Sequence, residues 1–191
     1  MTNRTELDEA LEGVLISAEA IQARVAELAS ELTRDYADKD LVLVGVLRGS
    51  VIFLADLVRQ MTLPLEMDFI TLSSYGNGVT SSGAVRQIQG LATDLTGRDV
   101  VIVEDIVDTG HTLAHLLRTL RKRHPASLSV CTLLAKGNVS DPALAPAYVG
   151  FTIPQQFVVG YGLDYAQKYR NLPDIAILKP EVYAGQDGEH E

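Results

Sequence analysis

The stretch VVIVEDIVDTGHTL, Val100 to Leu113, decides how this chain reads. With Asp99 in front, its apolar opening DVVIVE is the clearest strand in the sequence, buried on both faces as in a parallel sheet covered by helices. The strand runs into Glu104 and Asp105 and passes Ile106 and Val107. It then reaches Asp108, Thr109, Gly110, His111 and Thr112, where a helical pattern begins that extends to His124. Gly110 permits positive φ and close backbone approach, and Thr109 and Thr112 set hydroxyls beside the free N–H groups of a first helical turn. Such a turn is an anion cradle suited to a phosphate monoester. Three carboxylates beside it would repel a phosphate unless they serve other parts of the same ligand, either sugar hydroxyls that donate to carboxylates or a divalent cation. Taken singly, each residue reads more readily as a solvated strand end or a helix cap. Their joint arrangement points to a ribose 5-phosphate.

Working outward, Leu41 to Val46 (LVLVGV) reads as a second buried strand, followed by a helical pattern from Ser50 to Gln60. Glu66 to Ser74 is expected to be a strand, and Tyr75 to Gln89, rich in Gly, Ser and Thr, a mobile loop or hairpin. Ser127 to Ala135 is a further strand, and Tyr148 to Phe151, Gln156 to Val159 and Ile175 to Leu178 are short extended pieces. Apolar residues from Leu11 to Leu28 recur at three- and four-residue spacings, which predicts one amphipathic helix from Glu6 to about Glu31. Strands alternating with helices predict an α/β fold, a doubly wound and mainly parallel sheet flanked by helices, whose ligands bind beyond the carboxyl ends of the strands.

The 191 residues suit one domain, and the absence of an apolar run of the ~20 residues that a membrane span needs excludes a helical membrane protein. The N-terminus lacks an apolar signal core, and the lone Cys131 fits a reducing compartment, so a cytoplasmic protein is expected. Sixteen basic residues against 25 acidic ones give a net charge of -9, which argues against coating nucleic acid. A focused site for a small polyanion remains compatible with that charge.

The segment Val100 to Leu113 resembles the signature of the type I phosphoribosyltransferases. Nearly the whole chain is similar to the hypoxanthine-guanine phosphoribosyltransferase family. LRGS at Leu47 to Ser50, SSYG at Ser73 to Gly76 and FVVGYGLDYAQKYRNL at Phe157 to Leu172 match it in order. The resemblance implies the fold of that family, with a core at about 35–140 and a small hood lobe from the N-terminal segment and about 141–183. Residues 184–191 would then be a frayed polar tail. It implies transfer of 5-phosphoribosyl from phosphoribosyl pyrophosphate to hypoxanthine or guanine, with Mg2+, in a homodimer or homotetramer that binds neither nucleic acid nor membrane.

Carried over by position, Asp108 would act as general acid/base at purine N7. Glu104 and Asp105 would hold the ribose hydroxyls, and Thr109, Gly110, His111 and Thr112 the 5′-phosphate, with His111 giving only a backbone contact. Arg48, Gly49 and Arg170 would meet pyrophosphate. Lys136 would donate to the oxygen at purine C6, Phe157 would stack on the base and the Val158 backbone would read its edge. Ser74 and Tyr75 would belong to a loop that closes over the reaction. Asp164, through water, with Glu104 and Asp105, would be the metal contacts. The same resemblance implies a cis peptide bond between Leu47 and Arg48. An aspartate's ordinary pKa of about 3.9 is low for moving protons at neutral pH, so burial by the purine is expected to raise that of Asp108.

Other signals carry less. His111 and His115 share a helical face, but no HExxH glutamate accompanies them, so a zinc site is not expected. GNGVTS at Gly76 to Ser81 lacks the third glycine of a dinucleotide loop, and no Walker lysine follows a Gly-rich loop. A regulator that keeps this fold and binds RNA or DNA would need a basic surface or an added segment, and neither is present. A phosphoribosyltransferase for another base is disfavoured by Lys136 and Phe157.

Overall fold

The computed structural model describes residues 9–74, 86–137 and 144–183. The chain opens with strand β1 (Leu11–Ile16), then helix α1 (Ala18–Asp35), β2 (Leu41–Leu47), α2 (Val51–Gln60), β3 (Glu66–Ser74) and β4 (Arg86–Gln89). It continues through β5 (Asp99–Val107), α3 (His111–Arg121), β6 (Ser127–Ala135), β7 (Tyr148–Thr152), β8 (Val158–Val159), β9 (Ile175–Leu178) and the single turn α4 (Pro180–Tyr183).

Six strands form the main sheet in the order β4-β3-β2-β5-β6-β7. Neighbours from β3 to β7 run parallel, and β4 returns antiparallel along β3, pairing Thr71 with Gln89 and Ser74 with Arg86. β2 is buried almost from end to end and so is most of β5, as their unbroken apolar runs predict. One face of the sheet packs on α1 and α2 through Ile21, Leu28, Leu32, Phe53 and Leu57. The other packs on α3 through Leu113, Leu116 and Leu120. The crossover from β2 leads to β3 on one side, whereas that from β5 leads to β6 on the other. The sheet's switch point therefore lies between β2 and β5, where the two motif-bearing loops leave it side by side.

A second sheet, β1-β9-β8, joins the two ends of the chain in antiparallel pairing, with Leu11 opposite Leu178 and Val158 opposite Ile177. This corrects the expected helix from Glu6: residues 11–16 are strand, and the helix starts after Ser17, whose Oγ accepts from the Ala20 N–H at 3.3 Å. Leu11, Val14 and Leu15 fit a helical period, but pairing with β9 satisfies their backbone and overrides it. Two further differences concern the hood. α1 packs on the main sheet, and β7 extends that sheet beside β6, so the hood sheet draws on β1 and on residues after 152. The segment expected to be loop or hairpin ends in β4. Tyr75 and the 184–191 tail lie outside the described residues. Among the described residues no helix is long and apolar enough to cross a membrane.

Candidate active site

Where β5 leaves the sheet, successive residues point to opposite sides. Glu104 is buried and Asp105 half-buried. Asp105 Oδ1 accepts from the Ile106 N–H at 2.9 Å. Its other oxygen lies over Gly49: a Cβ built there would sit 1.5 Å from Oδ2, so any larger residue between Arg48 and Ser50 would push the carboxylate aside. The peptide bond between Leu47 and Arg48 is cis. Ser50, fully buried, ties the loop down by donating from Oγ to the Val46 carbonyl at 2.7 Å. Desolvation pushes the Asp105 carboxyl above the ordinary carboxylate range; the N–H groups of Ile106 and Asp105 and the Arg170 guanidinium oppose that, and Asp164 reinforces it.

The raised value has a consequence for folding. The native state holds this proton more tightly than the unfolded chain, so stability is lost as pH rises through the interval from the unfolded value of about 3.9 to the native one. Asp105→Asn removes that loss. Its denaturant midpoint is expected to exceed that of the parent at pH 8, with the difference shrinking toward pH 4. A variant no more stable than the parent at pH 8 would contradict this.

Beyond Val107 the chain turns at Gly110, whose φ is +80° at the N-cap of α3. The first turn of that helix holds no acidic residue, so its N–H groups are left facing an approaching anion. Thr109 Oγ1 lies 3.1 Å from His111 Nδ1. A cleft of about 340 Å³ opens here, lined by Gly49, Glu104, Asp105, Asp108, Thr109, Gly110 and Thr112, with Leu47, Leu72 and Leu113 among its apolar walls. Seven of the residues expected in the site thus share one cavity. His111 is exposed and outside the lining.

The other expected residues among the described ones are absent from its lining. Lys136, whose N–H donates to the Val107 carbonyl at 3.0 Å, carries its Nζ to 3.5 Å from Asp108 Oδ2. Its side chain is 15% exposed and that of Asp108 45%, so the lysine is sheltered while the carboxylate faces open space. Phe157 precedes β8, an edge strand of the hood sheet. Its half-exposed ring stacks on Tyr183 at 5.0 Å and meets the edge of Tyr165 at 5.7 Å. Val158 is buried and pairs with β9. Ser74 closes β3.

Arg170 donates from Nη1 to the Gly162 carbonyl and from Nη2 to Asp164, each at 2.7 Å. Among the described residues no three His, Cys, Asp or Glu side chains converge to hold a metal. Glu104, Asp105 and Asp164 are therefore not by themselves a closed ligand set. His111 and His115 form no such group either.

Three features escaped the sequence reading. Gly162, at φ +101°, would set a Cβ 2.1 Å from the Gly49 carbonyl, so the 47–50 and 160–170 loops meet backbone to backbone. The GYG pattern at 160–162 was the available signal. Tyr183 against Phe157 and Gln167 beside Arg48 had none, because the partners lie far apart in the chain.

The switch-point cleft, its glycine-capped helix and the carboxylates beside it define a sugar-phosphate-binding α/β protein of the phosphoribosyltransferase class. A family model described as phosphoribosyl transferase domain matches residues 16–166. The hypoxanthine-guanine phosphoribosyltransferase of Mycobacterium avium is 51% identical over 179 residues, which cover 91% of this chain and 88% of that one. Its counterpart in Bacillus subtilis is 49% identical over 173 residues, covering 91% and 96%. The crystal structure of a hypoxanthine phosphoribosyltransferase from Staphylococcus aureus, 44% identical, superposes with a TM-score of 0.87 over 96% of this chain and 98% of that one. The chain belongs to the hypoxanthine-guanine phosphoribosyltransferase family.

Proposed function

We propose that this protein, a single phosphoribosyltransferase domain over residues 1–183, transfers 5-phosphoribosyl from phosphoribosyl pyrophosphate to hypoxanthine or guanine, releasing pyrophosphate. The observation that carries the reading is the 3.5 Å approach of Lys136 Nζ to Asp108 Oδ2 beside the cleft that Gly110 and its threonines line. A 6-oxopurine presents N7 and O6 side by side on one edge. Asp108 exchanges a proton at N7 while Lys136 donates to O6. An exocyclic amino group in the place of O6 would meet a donor with another donor, so adenine is rejected.

The helix cradle at 109–112 receives the 5′-phosphate, and Glu104 and Asp105 accept from the ribose hydroxyls. Arg48, Arg170 and the backbone at Gly49 hold the pyrophosphate, whose negative charge grows as its bond to the sugar breaks. Phe157 stacks on the base and the open edge of β8 at Val158 offers backbone groups to it.

Asp105 and Asp164, with Glu104, are all oxygen donors and too few to enclose an ion. That suits Mg2+, which keeps much of its octahedral shell for water and substrate oxygens. When bound, magnesium neutralises and orients the departing pyrophosphate. Adding excess EDTA is expected to abolish nucleotide formation and restoring magnesium to return it, whereas turnover unaffected by chelation would contradict the role given to these carboxylates. Lys136→Met is expected to lower kcat/KM for hypoxanthine by about 10²-fold or more while leaving the KM for phosphoribosyl pyrophosphate near its parent value. Equal activity in that variant would overturn the proposed base contact.

We propose a reducing, cytoplasmic setting on the strength of the single cysteine, Cys131; buried in the core, its thiol is pushed up to about 12 and is inert. A closed homodimer or homotetramer is the assembly we propose, to be read from native mass.

A further inference from the structure

Two cations converge on an oxygen that carries no charge. Arg48 donates from Nη1 to Gln167 Oε1 at 3.0 Å, and Arg170 donates from Nη2 to the same atom at 3.3 Å. A guanidinium has only donors, so the sharing fixes which end of the carboxamide faces them. Gln167 is itself held in place: its N–H donates to Asp164 Oδ2 at 2.9 Å, and its backbone sits at φ +65°. Asp164 offsets the charge of Arg170, while Arg48 makes no ion pair among the described residues. Two guanidiniums brought to one neutral atom repel each other, and an anion bridging them would relieve that repulsion.

We propose that Gln167 is a positioning residue for the pyrophosphate end of the substrate, aligning Arg48 from the 47–50 loop with Arg170 from the 160–170 loop. The proposal rests on the reading of those two arginines as pyrophosphate contacts. A carboxamide suits the task because it accepts from both cations without neutralising either. Each guanidinium spends one donor on it; Arg48 keeps its others for the ligand, and Arg170, which also donates to Gly162 and Asp164, keeps its Nε–H and one Nη1–H. A carboxylate in the same place would cancel the charge that the site needs, and an apolar side chain would leave the two long arginines to sample many rotamers.

Steady-state kinetics of two variants test this. Gln167→Met keeps the length and loses the acceptor, and is expected to raise the KM for phosphoribosyl pyrophosphate about five- to ten-fold. In it, kcat and the KM for hypoxanthine stay within about two-fold of the parent. Gln167→Glu keeps the acceptor but adds charge, and should raise the same KM. In an Arg48→Ala background Gln167→Met should add less than about two-fold, because one of the two groups it aligned is gone and Arg170 is still held by Gly162 and Asp164. If Arg48→Ala and Arg170→Ala each raise that KM and neither Gln167 variant does, the positioning role is wrong and the pyrophosphate reading stands. If the arginine variants leave it unchanged, the reading falls and the proposal with it. A fall in kcat and melting temperature with no selective change in that KM would also overturn it, since it would mark Gln167 as merely structural.

Discussion

Asp108→Asn is expected to lower kcat by about 10²–10⁴-fold, the range a positioned general acid/base contributes. Asp108 is the carboxylate that both lines the cleft and lies beside Lys136, and its half-exposed side chain leaves room for a base to dock. An amide of the same shape preserves the docking and cannot carry the proton. The loss should therefore fall on kcat, with the KM for phosphoribosyl pyrophosphate changed only a few-fold because the cradle at Gly110 is untouched. A variant whose kcat matches the parent's would remove Asp108 from the chemistry.

Gly162→Ala should be nearly as damaging, for a reason in the backbone. The added Cβ would lie 2.1 Å from the Gly49 carbonyl, and the residue sits at φ +101°, which side-chain-bearing residues rarely adopt. The 160–170 loop would have to lift from the 47–50 loop, separating Arg170 and Asp164 from Arg48 and Asp105. We expect a loss of about 2–4 kcal/mol in stability and at least ~10² in kcat/KM for phosphoribosyl pyrophosphate. Gly13→Ala is the control: it has open space around it and no positive φ, so its stability should stay within about 0.5 kcal/mol of the parent. Equal behaviour of the two variants in denaturation and kinetics would contradict the loop-on-loop account.

What the sequence could reveal followed the range over which each signal acts. Buried strands announce themselves locally, so β3 and β6 carry the bounds expected of them, and β5 differs only in continuing to Val107. The cradle was legible for the same reason: Gly110 and its threonines are contiguous in the chain, and the turn they make is local. β1 was not legible, because its partner β9 lies at the other end of the chain and no residue within 11–16 encodes that pairing. Ser17 was the one local cue, a helix cap placed where a continuous helix was expected.

The site followed the same rule. Asp105 and Asp108 could be named from their strand, but the space that Asp105 takes from Gly49, and the oxygen of Gln167 shared by two arginines, exist only after distant loops meet. Phe157 could be expected to stack on a base, whereas its contacts with Tyr165 and Tyr183 depend on α4 folding back against the hood.

The central claim is that the cleft between the carboxyl ends of β2 and β5 joins a ribosyl phosphate to a 6-oxopurine. It is tested by incubating the purified protein with phosphoribosyl pyrophosphate, magnesium and hypoxanthine, guanine, xanthine or adenine in turn, and measuring nucleoside monophosphate and pyrophosphate. Product from hypoxanthine or guanine is expected, with adenine disfavoured by about 10⁴-fold. No product from either of those two bases, or adenine used as well as they are, would contradict it.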